Sequence, residues 1–181
     1  MGNIWKHFKT ITYHKYLVMK GCFRIGLYKQ GLLHDLSKYM PSEFWIGVKY
    51  FQGNRSPNNA EREAIGYSSA WLHHKGRNKH HFEYWQDYGM HVPGGNAPVP
   101  MPDKYVAEMC MDRIAASKVY KGKAYTDDAP LIYLETSIDS TLMHPETREK
   151  LHMMLKMLAE KGEKVTFEYI KRVFLKGADK K

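Results

Sequence analysis

Four positions place side chains able to hold a metal ion on or beside segments that otherwise read as helical core: His14, His34, Asp35 and Asp112. Over residues 10–29, Ile11, His14, Val18, Cys22 and Ile25 recur at steps of three or four, so His14 shares the apolar stripe of a helix. Over residues 103–120 the same holds for Asp112, which falls among Tyr105, Met109, Ala116 and Val119. A carboxylate on a core face is costly unless a cation or several donors meet it. Taken singly, such a histidine is usually a hydrogen-bonded core residue, and such an aspartate often pairs with a neighbour such as Arg113. Taken together, they form a mixed nitrogen and oxygen donor set. Such a set suits manganese, iron, cobalt, nickel or zinc and does not suit calcium. One or two ions could be held.

Two further groups extend the chemistry. In residues 32–38, read as one short helix, Lys38 stands three and four residues after Asp35 and His34 and shares their side. Between Asp35 and Asp112 lies a run of four histidines and three cations: His73, His74, Lys75, Arg77, Lys79, His80 and His81. The pairs His73/His80 and His74/His81 are seven apart. On an unbroken helix that is about 10.5 Å at 1.5 Å per residue, too far for one ion with bonds of about 2 Å. The spacing therefore predicts a break at Gly76, with His74 as the first choice for a second-metal ligand and one of His80 and His81 as the next. Lys75, Arg77 and Lys79 read equally well as a phosphate-binding turn or as a solvated basic one.

Helices must position these groups. The pattern predicts helices over residues 10–29, stopped by Gln30-Gly31, then 32–38, 42–52, 60–74, 103–120, 129–140, 145–161 and 166–176. Residues 54–59 read as a loop. Residues 89–102 carry Gly89, Gly94 and Gly95 with prolines at 93, 98, 100 and 102, and read as a long surface loop or lid. The expectation is a single all-α domain over 1–181, a bundle of about seven helices. Its metal-site core spans about 10–121 and its C-terminal helices about 129–176.

Composition narrows the setting. Hydrophobic residues make up 43% and aromatics 13%, enough for a core built by ordinary burial. The two cysteines, Cys22 and Cys110, have no CxxC spacing, which excludes a disulfide scaffold and a zinc ribbon and suits a reducing cytosol. No apolar run predicts a membrane span, and no apolar signal core follows Trp5, Lys6, His7, Phe8 and Lys9, so a cytoplasmic protein is expected. The formal charge of +9 fits anionic ligands, from nucleotides to nucleic acid.

The ordered set His14, His34-Asp35, Asp112 resembles the H…HD…D signature of the HD superfamily, and His34-Asp35-Leu36-Ser37-Lys38 is similar to its HDxxK variant. The chain also resembles a small uncharacterised HD-like family of bacteria and phages through Gly31–Lys38 and His73–His81. The resemblance implies a helical, metal-dependent phosphohydrolase acting on a phosphate mono- or diester, with a phosphorylated small molecule, a nucleotide above all, as substrate. It implies that Asp35 binds metal, bridging two ions where two are present, and that Lys38 contacts the phosphate or the departing oxygen. Two other readings stand beside it. Some HD-like proteins with extra histidines hold two irons and use dioxygen. A non-catalytic nucleic-acid-binding module with a structural metal is the third, though no helix-turn-helix or single-strand-binding motif is visible.

Overall fold

The element that governs the architecture is α6 (Asp103–Lys121), which buries every residue from Val106 to Met111 and so runs through the interior. The computed structural model, which describes residues 2–92, 94–137 and 142–178, surrounds it with helices. α1 (Asn3–Ile25) packs along one side, and α8 (Pro145–Tyr169) along another. Val18, Cys22 and Ile25 meet Val106, Cys110 and Ile114, and beyond these lie Leu151, Leu155 and Leu158. The remaining helices of six or more residues are α2 (Tyr28–Leu33), α3 (Pro41–Lys49), α4 (Pro57–Ile65), α5 (Ser69–Lys75) and α7 (Ala129–Thr136). The fold is all-α.

Several boundaries differ from the sequence expectation, each for a local reason. α1 runs from Asn3 and stops at Gly26, not at Gln30-Gly31. Gly26 takes φ 89°, and its N–H and that of Leu27 close on Cys22 and Phe23 carbonyls. Gly31 instead sits within α2, where an added Cβ would come within 3.0 Å of the Cys22 Cβ; its role is close packing on α1. The span 60–74 is two helices, because Gly66 at φ 85° ends α4. Ser68 then caps α5 by accepting the Trp71 N–H at 3.0 Å. Its own hydroxyl donates to buried Glu61, as does that of Ser69, each at 2.6 Å. Asp103 is the first residue of α6 and pairs with Lys150 at 2.5 Å. The separation expected between helices 145–161 and 166–176 is present: α8 kinks at Gly162 (φ 73°, ψ 173°), a non-helical residue, and the segment after it continues through a π-turn over Ile170–Phe174. The end of the predicted 129–140 helix lies outside the described residues.

The described residues of 89–102 are non-helical. They belong to a small antiparallel hairpin, β1 (Gln86–Tyr88) against β2 (Asn96–Pro98), with Gln86 opposite Pro98. Met101 is buried and its N–H donates to Thr147 at the start of α8, so the segment is fastened to the core at its far end. Among the described residues, no helix is long and apolar enough to cross a membrane.

α3 approaches α1 where it has no side chain. A Cβ on Gly47 would fall 2.3 Å from Nε2 of His7, whose buried ring lies between Phe44 and Phe51. Burial holds the His7 pKa down to about 4, so the ring packs as a neutral group. Gly47→Ala is expected to destabilise the fold by about 1–3 kcal/mol through overpacking, seen as a lowered melting temperature. An unchanged melting temperature would show that the His7 ring has room to move.

Candidate metal centre

His34 and Asp35 do not lie on a continuous helix from 32 to 38. α2 ends at Leu33, His34 is extended (φ −52°, ψ 128°), and Asp35 adopts φ 54° before a 3₁₀ turn over Leu36–Tyr39. Asp35 is the one non-glycine residue with positive φ among the described residues. Aspartate tolerates that conformation better than most residues, and such backbone outliers concentrate at functional sites. The break has a geometric use. Neighbours on a helix diverge by about 100°, whereas here both side chains turn to the same interior point. Lys15 on α1 steadies the bend: its ammonium donates to the Leu32 and His34 carbonyls at 2.7 Å.

The Asp35 carboxylate, 1% exposed, is the hub. Its Oδ2 faces His14 Nε2 at 3.5 Å and His34 Nε2 at 3.3 Å; Asp112 Oδ1 stands 2.9 Å from the first and 3.5 Å from the second. Its Oδ1 faces His74 Nε2 at 3.3 Å and His80 Nε2 at 3.4 Å, and His81 Nε2 completes that side 2.9 Å from His74 Nε2. Two groups thus share one carboxylate: His14, His34, Asp35 and Asp112, and Asp35, His74, His80 and His81, each with its donor atoms within 4.8 Å of one another.

The separations around Asp35 fit cations better than hydrogen bonds. Ligands about 2.1 Å from a tetrahedral ion stand about 3.4 Å apart, which matches the 3.3–3.5 Å edges around Asp35. His14 Nε2, His34 Nε2, His80 Nε2 and both Asp35 oxygens are buried without a hydrogen-bond partner. Native interiors rarely leave five such atoms together unless something else satisfies them. The Lys38 ammonium lies 2.5 Å from Asp35 Oδ2, a charge contact without hydrogen-bond alignment.

The outer edges of the rings are held by carboxylates. His34 Nδ1–H donates to Glu108 Oε1 at 2.9 Å, and His80 Nδ1 lies 3.3 Å from the same oxygen. His74 Nδ1–H donates to Glu43 Oε2 at 2.8 Å, and His73 Nδ1 to Glu43 Oε1 at 2.5 Å. For His34, His74 and His80 this puts a proton on Nδ1 and leaves Nε2 toward Asp35, the tautomer a ligand needs. His34, His80 and Glu108 could themselves surround an ion through the Nδ1 edges. That would turn the same imidazoles away from Asp35, whose orphaned oxygens favour the inner arrangement.

The charges of the cluster are interdependent. Burial opposes it, yet the Asp35, Asp112 and Glu108 carboxylates lift His34 above the ordinary imidazole range. His74 is raised likewise, against burial, by Asp35 and Glu43. Burial and the neighbouring rings push His81 well down and His80 down. Against burial, the surrounding imidazoles and Lys38 hold Asp35 low, and His14 and His34 hold Asp112 low. Lys38 is raised, again against burial, by Asp35 and Asp112.

The sequence-predicted residues therefore divide. His14, His34, Asp35, His74 and Asp112 converge, Lys38 stands beside them, and both His80 and His81 reach the second group rather than one of the two. Helix α5 ends at Lys75, so the chain turns at Gly76 between the two histidine pairs. His73 is brought to Glu43 rather than to Asp35. Asp112 meets His14, while Arg113 lies over the Tyr133 ring. Arg77 and Lys79 are exposed on the turn, Arg77 donating to the His73 carbonyl, and Lys75 is half-buried. Glu43 and Glu108 escaped sequence reasoning. Glu108 could have been found, since it precedes Asp112 by one turn on a buried helix.

The chain belongs to DUF5662, a family of unknown function, whose profile matches residues 3–157. That span holds every residue of both groups. No curated protein and no solved structure matches the chain.

Elemental analysis of metal-reconstituted protein is expected to give two transition-metal ions per chain, with Asp35→Asn losing both. Glu108→Gln should keep the fold and weaken metal binding by about 10–100-fold. Binding should also release protons, because His34 and His74 carry raised pKa values and must give up their Nε2 protons to become ligands. Affinity should therefore rise with pH through neutrality, and calorimetry in buffers of different ionisation enthalpy reads the protons directly. Stoichiometric uptake that survives Asp35→Asn would refute the shared-carboxylate site.

Proposed function

We propose that this protein is an HD-like, metal-dependent phosphohydrolase that cleaves a phosphate mono- or diester, with nucleotides as the leading substrate class. The observation that carries the reading is Asp35, whose two buried oxygens each face a separate set of inward imidazole nitrogens. Divalent transition ions held there would acidify a water and screen the charge of a phosphate. The chain's own groups account for the rest. His14, His34 and Asp112 form one half of the cradle, and His74, His80 and His81 form the other. Glu43 and Glu108 fix the tautomers, so little reorganisation is needed when charge develops.

Lys38 is the cation best placed for the reacting group. Its side chain is 29% exposed while its ammonium touches the hub carboxylate, so it joins the buried cluster to solvent. Against a phosphate ester it would donate to a non-bridging or departing oxygen, and its raised pKa keeps it charged for that task. Asp112, at 15% side-chain exposure, and His14, at 9%, are the least buried ligands of the first group. Substrate is therefore expected to enter beside His14, Asp112 and Lys38.

The decisive assay is a panel of nucleoside phosphates and phosphodiesters with protein reconstituted in turn with manganese, iron, cobalt, nickel and zinc. Turnover is expected with at least one metal. Lys38→Met should lower kcat by about 10²–10³-fold while retaining both ions, and Asp35→Asn should abolish turnover with the metal. The histidine-rich second group also suits a pair of irons, which makes dioxygen chemistry the reading to test alongside. Iron in the isolated protein, oxygen uptake and no ester hydrolysis with any metal would replace the hydrolase proposal with an oxygenase.

A further inference from the structure

Behind the His34 and His80 rings, on the side away from Asp35, lies a cavity of about 260 Å³. Its floor is the two rings and Glu108, and its walls bring together cations from three parts of the chain. Lys29 comes from α2, Arg77 and Lys79 from the turn after α5, and Lys104 from the first turn of α6. None of these four makes an ion pair among the described residues. Lys79 rests over the Tyr84 ring and Lys104 over the Tyr105 ring, at 5.5 and 5.1 Å from the centroids, and Arg77 donates only to a carbonyl. The one carboxylate lining the cavity, Glu108, has its Oε1 engaged by both imidazoles. Four cations thus surround a concave space whose single acidic group is already committed. Such a wall focuses potential and attracts anions, and the guanidinium of Arg77 adds the planar donor fork that suits a phosphate-type oxyanion.

We propose that this cavity binds a phosphate-class oxyanion carried by a small ligand, at a site separate from the metal-facing side of the cluster. The ring orientations make the two sites distinct. His34 and His80 turn Nδ1 toward Glu108 and the cavity, and Nε2 toward Asp35. An anion held by Lys29, Arg77, Lys79 and Lys104 is therefore across the imidazole layer from Asp35 and is not the group positioned for attack. It serves as an anchor or effector site, and it holds whether or not the centre is hydrolytic.

Calorimetric titration of the full-length protein with inorganic sulfate at low ionic strength tests this, since sulfate mimics phosphate geometry and binds transition metals weakly. Saturable binding is expected. Lys29→Ala/Lys104→Ala and, independently, Arg77→Ala/Lys79→Ala should each weaken it at least tenfold, with circular dichroism unchanged because all four side chains are exposed. Lys164→Ala/Lys171→Ala, which removes the same charge from exposed positions after the Gly162 kink, should change it less than twofold. Asp35→Asn should leave sulfate binding intact. Equal losses in the cavity and remote variants would reduce the effect to net charge and overturn the site. So would loss of binding in Asp35→Asn with the cavity variants unaffected, which would put the anion at the metal centre. Absence of saturable binding by the wild-type chain would overturn it as well.

Discussion

The structure depends on keeping one carboxylate, that of Asp35, inside the protein with imidazoles on both sides of it. An isolated buried carboxylate is unfavourable by several kcal/mol, so everything around Asp35 must supply compensating charge. His14 from α1, His74 from α5, Lys38 from the 3₁₀ turn and His80 after the turn at Gly76 face that carboxylate, while Asp112 from α6 and Glu43 from α3 hold the His14 and His74 imidazoles in place. Contributions from so many elements mean that the centre cannot assemble before the bundle does. The bundle in turn has a polar middle that only complete assembly satisfies. Stability and site construction are one problem in this fold.

That coupling explains why small residues occur where they do. Gly21 on α1 leaves room for Met111 of α6, since a Cβ there would lie 2.9 Å from the Met111 sulfur. This close approach is two turns beyond His14 and one residue short of Asp112, so it sets the spacing at which those two side chains meet. Gly47 does the same for α3 against His7, and Glu43 stands one turn earlier on that helix. Backbone proximity, rather than long side chains reaching inward, places the polar groups. A site built that way is stiff, because the His34, His74 and His80 rings are held at Nδ1 by inward carboxylates.

How much of this could be read in the sequence follows from the same physics. His14 and Asp112 were legible because each interrupts an apolar stripe, and periodicity exposes an intruder. The all-α class was legible from the same stripes. The bend at His34-Asp35 was not, since a 3₁₀ turn and a short helix have nearly the same residue preferences, and only the φ of Asp35 separates them. Glu43 was hidden for another reason: glutamate is at home on any helix surface, so nothing marks one that faces inward until its partner is known, whereas Glu108 was signalled by its place one turn before Asp112 on a buried helix. The split of 60–74 into two helices likewise turned on Gly66, a residue that a helix interior tolerates at modest cost.

The two inward glutamates change how the histidine run should be understood. Four histidines in nine residues suggest redundancy, with spare ligands around one ion. Their partners show a division of labour instead. His80 is oriented by Glu108 and His74 by Glu43, whereas His73 shares Glu43 and has no contact with Asp35. Among the described residues no carboxylate pairs with His81, whose Nε2 stands 2.9 Å from that of His74. Two neutral imidazole nitrogens at that distance repel unless a proton or a cation lies between them. The raised pKa of His74 and the depressed one of His81 describe the proton solution. A metal ion would replace that proton with a charge shared among His74, His80, His81 and Asp35. The proton-filled and cation-filled forms of the second group are then alternative ways of balancing one buried charge, and the carboxylate of Asp35 is what makes either necessary.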